Sequence, residues 1–241
     1  MFKTPDFNIG GMSDFTSQKI GGVMIGVVTN NNDPDKLGRV KLKLPMQNTE
    51  TETDWVRIAT FMGGNDMGSL FIPEVNDEVL VAFHLGELRM PIVIGMLWNP
   101  KQKPPAPADK NDLRMIKSRS GHTLSFNDKS GDESITIKTK KGQIVEMKDK
   151  DGSISIADAS GNNKMLIKGG SANEISIVSQ TSKITLNAKG EVSIESTKEI
   201  KIKSTQLSIE ASATMALKAG ATLDIKSDGI INIKGSMVKI N

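Results

Sequence analysis

The chain of 241 residues has no cysteine and no tyrosine, only 2 tryptophans, and no apolar run of membrane-spanning length. Without cysteine there is no disulfide framework, no thiolate nucleophile and no cysteine-ligated metal, so the chain is compatible with any redox compartment. A membrane helix needs about 18 or more consecutive apolar residues, so none is predicted. A marked excess of either charge is missing too: 31 basic residues stand against 28 acidic ones. That balance removes the electrostatic case for nucleic acid or an anionic membrane as a partner. The scarcity of aromatics argues against a surface that stacks bases or sugars. Residues 1–14 lack the basic start and apolar core of a secretory signal.

What the chain does have is a repeat. From Leu124 onward, two apolar residues separated by one polar residue recur to the end. The pairs are Leu124/Phe126, Ile135/Ile137, Val145/Met147, Ile154/Ile156, Met165/Ile167, Ile175/Ile177 and Ile184/Leu186. They continue as Val192/Ile194, Ile200/Ile202, Leu207/Ile209, Met215/Leu217, Leu223/Ile225, Ile231/Ile233 and Val238/Ile240. Steps between pairs are nine to eleven residues at first and seven or eight beyond Ile184. Each triplet reads as a short strand with one buried face. A single-chain solenoid needs roughly 20 or more residues per coil to enclose an interior. This repeat is too short for that, so something else must cover the apolar row, and further copies of the chain are the simplest cover. The shortening steps predict a body that narrows toward the C-terminus.

Four segments are distinguishable. Residues 1–20 hold Phe2, Phe7 and Phe15 in a weakly patterned stretch, either a frayed terminus or a docking arm. Residues 21–99 alternate like short strands at Val23–Val28, Val40–Leu44, Trp55–Ala59, Leu70–Ile72, Val79–Phe83 and Ile92–Leu97. Val40, Leu42 and Leu44 are expected inside, with Arg39, Lys41 and Lys43 outside. Such a set fits a small barrel such as the OB-fold. Residues 100–113, with Pro100, Pro104, Pro105 and Pro107, form a semi-rigid linker. Residues 114–241 are the repeat, with Gly142, Gly152, Gly161, Gly190, Gly220, Gly229 and Gly235 expected in turns at positive φ.

Few residues carry chemistry. Asn31, Asp33 and Asp35 hint at a calcium loop, but Pro34 interrupts it, Lys36 stands where the sharp turn needs glycine, and Leu42 replaces the bidentate glutamate. A turn is the better reading. The segment Gly63–Ser69 is Gly-rich but has no lysine and precedes a strand, so it reads as a surface loop rather than a phosphate site. His84 and His122 have no nucleophile or partner identifiable by motif. No catalytic residue, metal site or cofactor is predicted, and the chain reads as a non-enzyme. Met147, Met165 and Met215 occupy pair positions as adaptable core filling.

Several segments together resemble one family. They are Gly26–Asp35 (GVVTNNNDPD) with Leu37-Gly38-Arg39-Val40, then Trp55–Ala59 (WVRIA), Pro73–Phe83 (PEVNDEVLVAF), Pro91–Asn99 (PIVIGMLWN) and Arg119-Ser120-Gly121-His122 before Leu124-Ser125-Phe126. In this order, beside this repeat, they are similar to the phage baseplate assembly protein V group and the central part of the type VI secretion spike VgrG. The resemblance spans roughly residues 20–241 and implies an all-β chain: an OB-fold followed by an intertwined triple-stranded β-helix in a homotrimer. It implies a structural, membrane-puncturing central spike of a contractile injection apparatus. The trimer core is then formed by Ile135/Ile137, Ile154/Ile156, Ile175/Ile177 and every pair from Ile184/Leu186 to Ile231/Ile233. Phe2, Phe7 and Phe15 are expected to bind a baseplate hub protein, and Val238, Ile240 and Asn241 a PAAR-type tip protein. Assembly in the bacterial cytoplasm into a tail or injection particle follows, with the target-cell membrane as the last partner and no nucleic acid.

Departures from the family matter. Trp98 to Leu113 leaves room only for a linker, so no lysozyme domain is expected there. The only histidines are His84 and His122, so the terminal His-x-His iron site of some relatives is not expected. Asn76 stands where relatives often have glycine, a position asparagine tolerates. The short stretch before residue 20 favours a phage or tail-like particle over a full VgrG carrying effectors. Of the rivals, an adhesin or tail-fibre shaft needs an aromatic-bearing tip, and an OB-fold nucleic-acid binder needs more exposed aromatics than accompany Lys41 and Lys43.

Overall fold

The structure is a computed structural model that describes residues 20–45, 52–106 and 110–240. Phe2, Phe7, Phe15 and Asn241 lie outside the described residues. The described chain is all-β, apart from one 3-10 turn at His84–Gly86.

The barrel is built from β1 (Val23–Asn30), β2 (Lys41–Lys43), β3 (Arg57–Ile58), β6 (Glu78–Phe83) and β7 (Pro91–Leu97), hydrogen-bonded in the order β2-β1-β6-β7-β3. All pairings are antiparallel except β3 with β7, which is parallel. The ring closes through a bridge between Val40 and Val56, whose amides exchange bonds of 3.0 and 2.8 Å. That circular order is the OB topology, and closure leaves no free edge among these strands. Alternation sends Val79, Val81 and Phe83 of β6 inward, together with Val28, Val40, Leu42, Leu44, Val56 and Val93. Val40, Leu42 and Leu44 are inside as their spacing requires. Gly26 of β1 is where the interior is tightest: a Cβ there meets Leu44 at 3.1 Å and Val81 at 3.3 Å.

One barrel segment departs from expectation. Leu70–Ile72 forms no strand; Leu70 is 80% and Phe71 53% exposed. The Gly-rich stretch before it forms the small hairpin instead, β4 (Gly63–Gly64) with β5 (Met67–Gly68). Asp66 and Gly68 take positive φ there, and Thr60 Oγ1 donates to the Ser69 carbonyl at 2.7 Å to tie the base. Apolarity alone misled, because turn chemistry decides where a hairpin forms.

The repeat begins as an antiparallel meander of nine strands, each bonded to the next. These are β8 (Leu113–Lys117), β9 (Thr123–Asn127), β10 (Ser134–Lys138), β11 (Ile144–Lys148), β12 (Ser153–Ala157), β13 (Asn163–Lys168), β14 (Glu174–Ser179), β15 (Ser182–Asn187) and β16 (Val192–Ser196). Many of its turns share one four-residue unit, a Ser, Thr, Asp or Asn followed three residues later by glycine. In Ser118/Gly121, Thr139/Gly142, Asp149/Gly152, Asp158/Gly161 and Asn187/Gly190 the glycine amide donates to the first residue's carbonyl at 2.9–3.2 Å. Every one of these glycines has positive φ. The unit is a tight turn closed by a left-handed glycine, which matches the twist of a hairpin.

From residue 198 to 240 the described chain has no strand and no backbone–backbone hydrogen bond. Gly220, Gly229 and Gly235 lie here and do not take positive φ, contrary to expectation. The seven- or eight-residue step leaves no room for a five-residue strand plus such a turn, even at Gly235, where Asn232 stands three residues earlier.

Candidate functional site

The feature to be explained is the meander's apolar face. Directly opposed residues on neighbouring strands project to the same side. Following the register across the sheet, Ile116, Leu124, Ile137, Val145, Ile156, Met165, Ile177, Ile184 and Ile194 align in one column. Phe126, Ile135, Met147, Ile154, Ile167, Ile175, Leu186 and Val192 align in a second, which Arg114 heads. Between them, facing the other way, run Ser125, Thr136, Glu146, Ser155, Leu166, Ser176, Thr185 and Ser193. The hairpins thus convert a linear period into a continuous apolar stripe two residues wide.

Among the described residues no second layer covers this stripe. Ile175 and Ile177 are 44% and 43% exposed, while Ser176 between them, on the polar face, is 3% exposed. A hollow of about 1010 Å³ opens on the polar face, lined by Glu146, Ser155, Leu166, Lys148, Lys164 and Lys168. Ile135, Ile137, Ile154, Ile156, Ile184, Leu186, Val192 and Ile194 also remain exposed on the apolar side. In the tail, Ile200, Ile202, Leu207, Ile209, Met215, Leu217, Leu223, Ile225, Ile231 and Ile233 are exposed between 48% and 71%, and Val238 and Ile240 are exposed too. An apolar area of this extent marks an interaction surface.

The barrel's polar residues do structural work. The buried Asp33 carboxylate accepts the amides of Asp35, Leu37 and Arg39 at 3.0–3.3 Å, and Arg39 Nε and Nη2 at 2.9 and 2.7 Å. Arg39 Nη2 also reaches Asp35 at 2.6 Å. The Arg39 guanidinium holds the Asp33 carboxyl well below the usual carboxylate range, helped by those amides. A guanidinium and three amides satisfy this carboxylate, so Asp33 organises a loop. The Trp55 ring lies beneath Arg39 and Lys41, with centroid distances of 6.0 and 5.6 Å. This convergence of a carboxylate, three amides and a guanidinium has no sequence motif.

His84 lines a cleft of about 510 Å³ with Trp55, Arg57 and Arg89. His122 Nδ1 accepts the Lys140 amide at 3.3 Å, so the imidazole braces a turn. In the exposed β12–β13 turn, Asn163 and Ser160 donate to Asp158 and lower its carboxyl from the ordinary value. Among the described residues no group of three or more His, Cys, Asp or Glu side chains is placed to hold a metal ion.

Residues 24–98 match the family described as the type VI secretion system/phage-baseplate injector OB domain. The chain is 31% identical over 116 residues to the type VI secretion spike protein VgrG1a of Pseudomonas aeruginosa, covering 43% of this chain and 18% of that protein. It is 29% identical over 133 residues to VgrG3 of Vibrio cholerae, covering 49% of this chain and 13% of that one. With VgrG2a of Pseudomonas aeruginosa the identity is 36% over 90 residues, 35% of this chain and 11% of the relative. The matched region therefore spans less than a fifth of the curated relatives.

Proposed function

From an injector OB domain of the type VI secretion and phage-baseplate family at residues 24–98, we propose that this chain is a structural subunit of a central spike, built as a homotrimer. The observation that carries the reading is the two-column stripe, in register across nine strands and uncovered in one chain. Three copies around an axis turn three stripes inward and leave the Ser, Thr and Lys columns in water. Each buried Ile or Leu then contributes about 1.5–3 kcal/mol, much of it offset by ordering.

The tail takes part differently. Among the described residues its backbone makes no backbone–backbone bond between 198 and 240, so its ladders form between chains, as in an intertwined triple-stranded β-helix. Every amide and carbonyl buried that way finds a partner. Bending such a rod breaks inter-chain bonds along its length, which suits a body driven through a target-cell membrane by a contracting sheath. The barrel end, with the Phe2, Phe7 and Phe15 arm, faces a baseplate hub. A PAAR-type tip protein seats on Val238, Ile240 and Asn241. The role needs no catalytic residue or cofactor, and the chain is assembled in the bacterial cytoplasm into a tail or injection particle.

Sedimentation equilibrium on the full chain tests this: a trimer mass at micromolar concentration is expected, and a monomer overturns it. A second reading, a type VI spike, is favoured by the names of the matched relatives. Electron microscopy of the particle that carries the chain separates it from a phage tail or a phage-tail-like bacteriocin.

A further inference from the structure

Two motifs of the chain have no task so far, the Arg119-Ser120-Gly121-His122 turn and the Pro73–Asp77 turn, and in the structure they meet. The barrel turn is fixed to β1: the Asn76 amide donates to the Val28 carbonyl at 2.8 Å, and the Val28 amide donates to the Asp77 carbonyl at 3.0 Å. Asn76 takes φ 77° there, and the Glu74 amide donates to Asp77 Oδ2 at 2.8 Å. Two groups from beyond the barrel bind this turn. Gln102 Nε2 in the linker donates to Asp77 Oδ1 at 3.0 Å and to the Asn76 carbonyl at 3.3 Å. Arg119 Nη1, in the β8–β9 turn, donates to both Glu74 oxygens at 3.1 and 3.2 Å.

Both outside groups are themselves held. The Gln102 amide donates to Asn99 Oδ1 at 2.7 Å. The Arg119 turn is capped by Ser118 Oγ, which accepts the His122 amide at 3.0 Å, and is tied to the β10–β11 turn through His122 Nδ1.

We infer that the Pro73–Asp77 turn is a socket that fixes the barrel against the first hairpins of the repeat. Glu74 and Asp77 are the positioning residues; Arg119 and Gln102 are the groups they hold. A proline-rich segment alone is semi-rigid and keeps its direction for only a few residues. Anchors on either side of it remove the remaining freedom, and each shortens the loop the other must close. Exposed ion pairs are individually weak, so the joint depends on both. Every contact lies within one chain, so the joint exists whether or not copies assemble. Its consequence is that force applied at the barrel reaches the rod without a hinge.

Limited trypsin digestion of the full chain tests the joint, since cleavage after Lys101 and Lys110 reads how often the segment opens. When opening is fast, the rate follows the open population, so Arg119→Ala with Gln102→Ala is expected to raise it about tenfold. Glu74→Arg and Arg119→Glu should each raise it, and the two together should return it toward the parent rate. The reversal pair decides the matter even if a single variant loosens the barrel, because it restores both charges. Cleavage of the double alanine variant within about twofold of the parent overturns the inference, as does a reversal pair cut as fast as its single variants.

Discussion

The barrel and the repeat are made from the same apolar residues, mainly Val, Ile and Leu, and end in opposite conditions. In the barrel, Val40, Leu42, Val79, Val81 and Val93 are fully buried, because a bridge at Val40–Val56 closes the sheet on itself. In the repeat, equally regular alternation leaves Ile137 at 51% and Ile156 at 47% exposure, because an open meander has one layer. Alternation thus identifies the face that needs cover and is silent on what covers it.

The comparison breaks most visibly in the repeat. Ile175→Asp with Ile177→Asp places charges at the centre of the stripe, and uncompensated buried charge costs several kcal/mol per group. Loss of trimer mass in sedimentation is expected, with the barrel's thermal transition retained. The reciprocal change is smaller. Leu42→Ala hollows the barrel core and should lower its stability by about 2–5 kcal/mol in denaturant unfolding, with the trimer mass unchanged. If both changes dissolve both regions, the two are not independent bodies.

Acid separates the regions again. The Asp33 carboxyl titrates lower in the folded barrel than in the unfolded chain. Its contribution is therefore complete above the ordinary carboxylate range, about pH 4, and is lost as pH falls below that toward the folded value. Asp33→Asn should lower the barrel's melting temperature at neutral pH and flatten its decline in acid, with no change in the repeat. The smallest effect is expected at one hairpin. Gly142→Ala puts a Cβ at φ 101° and 3.3 Å from the Ala159 Cβ. A cost of about 1–2 kcal/mol is expected, read as faster amide exchange between Thr139 and Gln143 alone.

How legible these regions were in the sequence differs for physical reasons. The inward faces of Val40, Leu42 and Leu44 were readable because alternation is a local property of a strand. The Asp33–Arg39 loop was not, because its carboxylate gathers amides that only a particular backbone path brings together. Leu70–Ile72 misled because an apolar triplet between two turns is a strand only if a neighbouring strand is placed to pair with it, and none among the described residues pairs with it. Gly220, Gly229 and Gly235 misled because a glycine closes a hairpin only where the step between apolar pairs leaves room for both strand and turn, and beyond Ile184 that step is seven or eight residues. Arg119 and Glu74 are 45 residues apart, and nothing local announces that they touch.

The apolar pairs, the shortening step and the glycine turns of the nine-strand meander were legible from the residues alone, since period and turn chemistry act over a few neighbouring residues. Closure of the barrel through Val40 and Val56, the guanidinium on Asp33, and the arrival of Arg119 and Gln102 at one turn became visible in three dimensions. Those contacts depend on where distant segments arrive in space, and loop closure carries no mark in the residues that it joins.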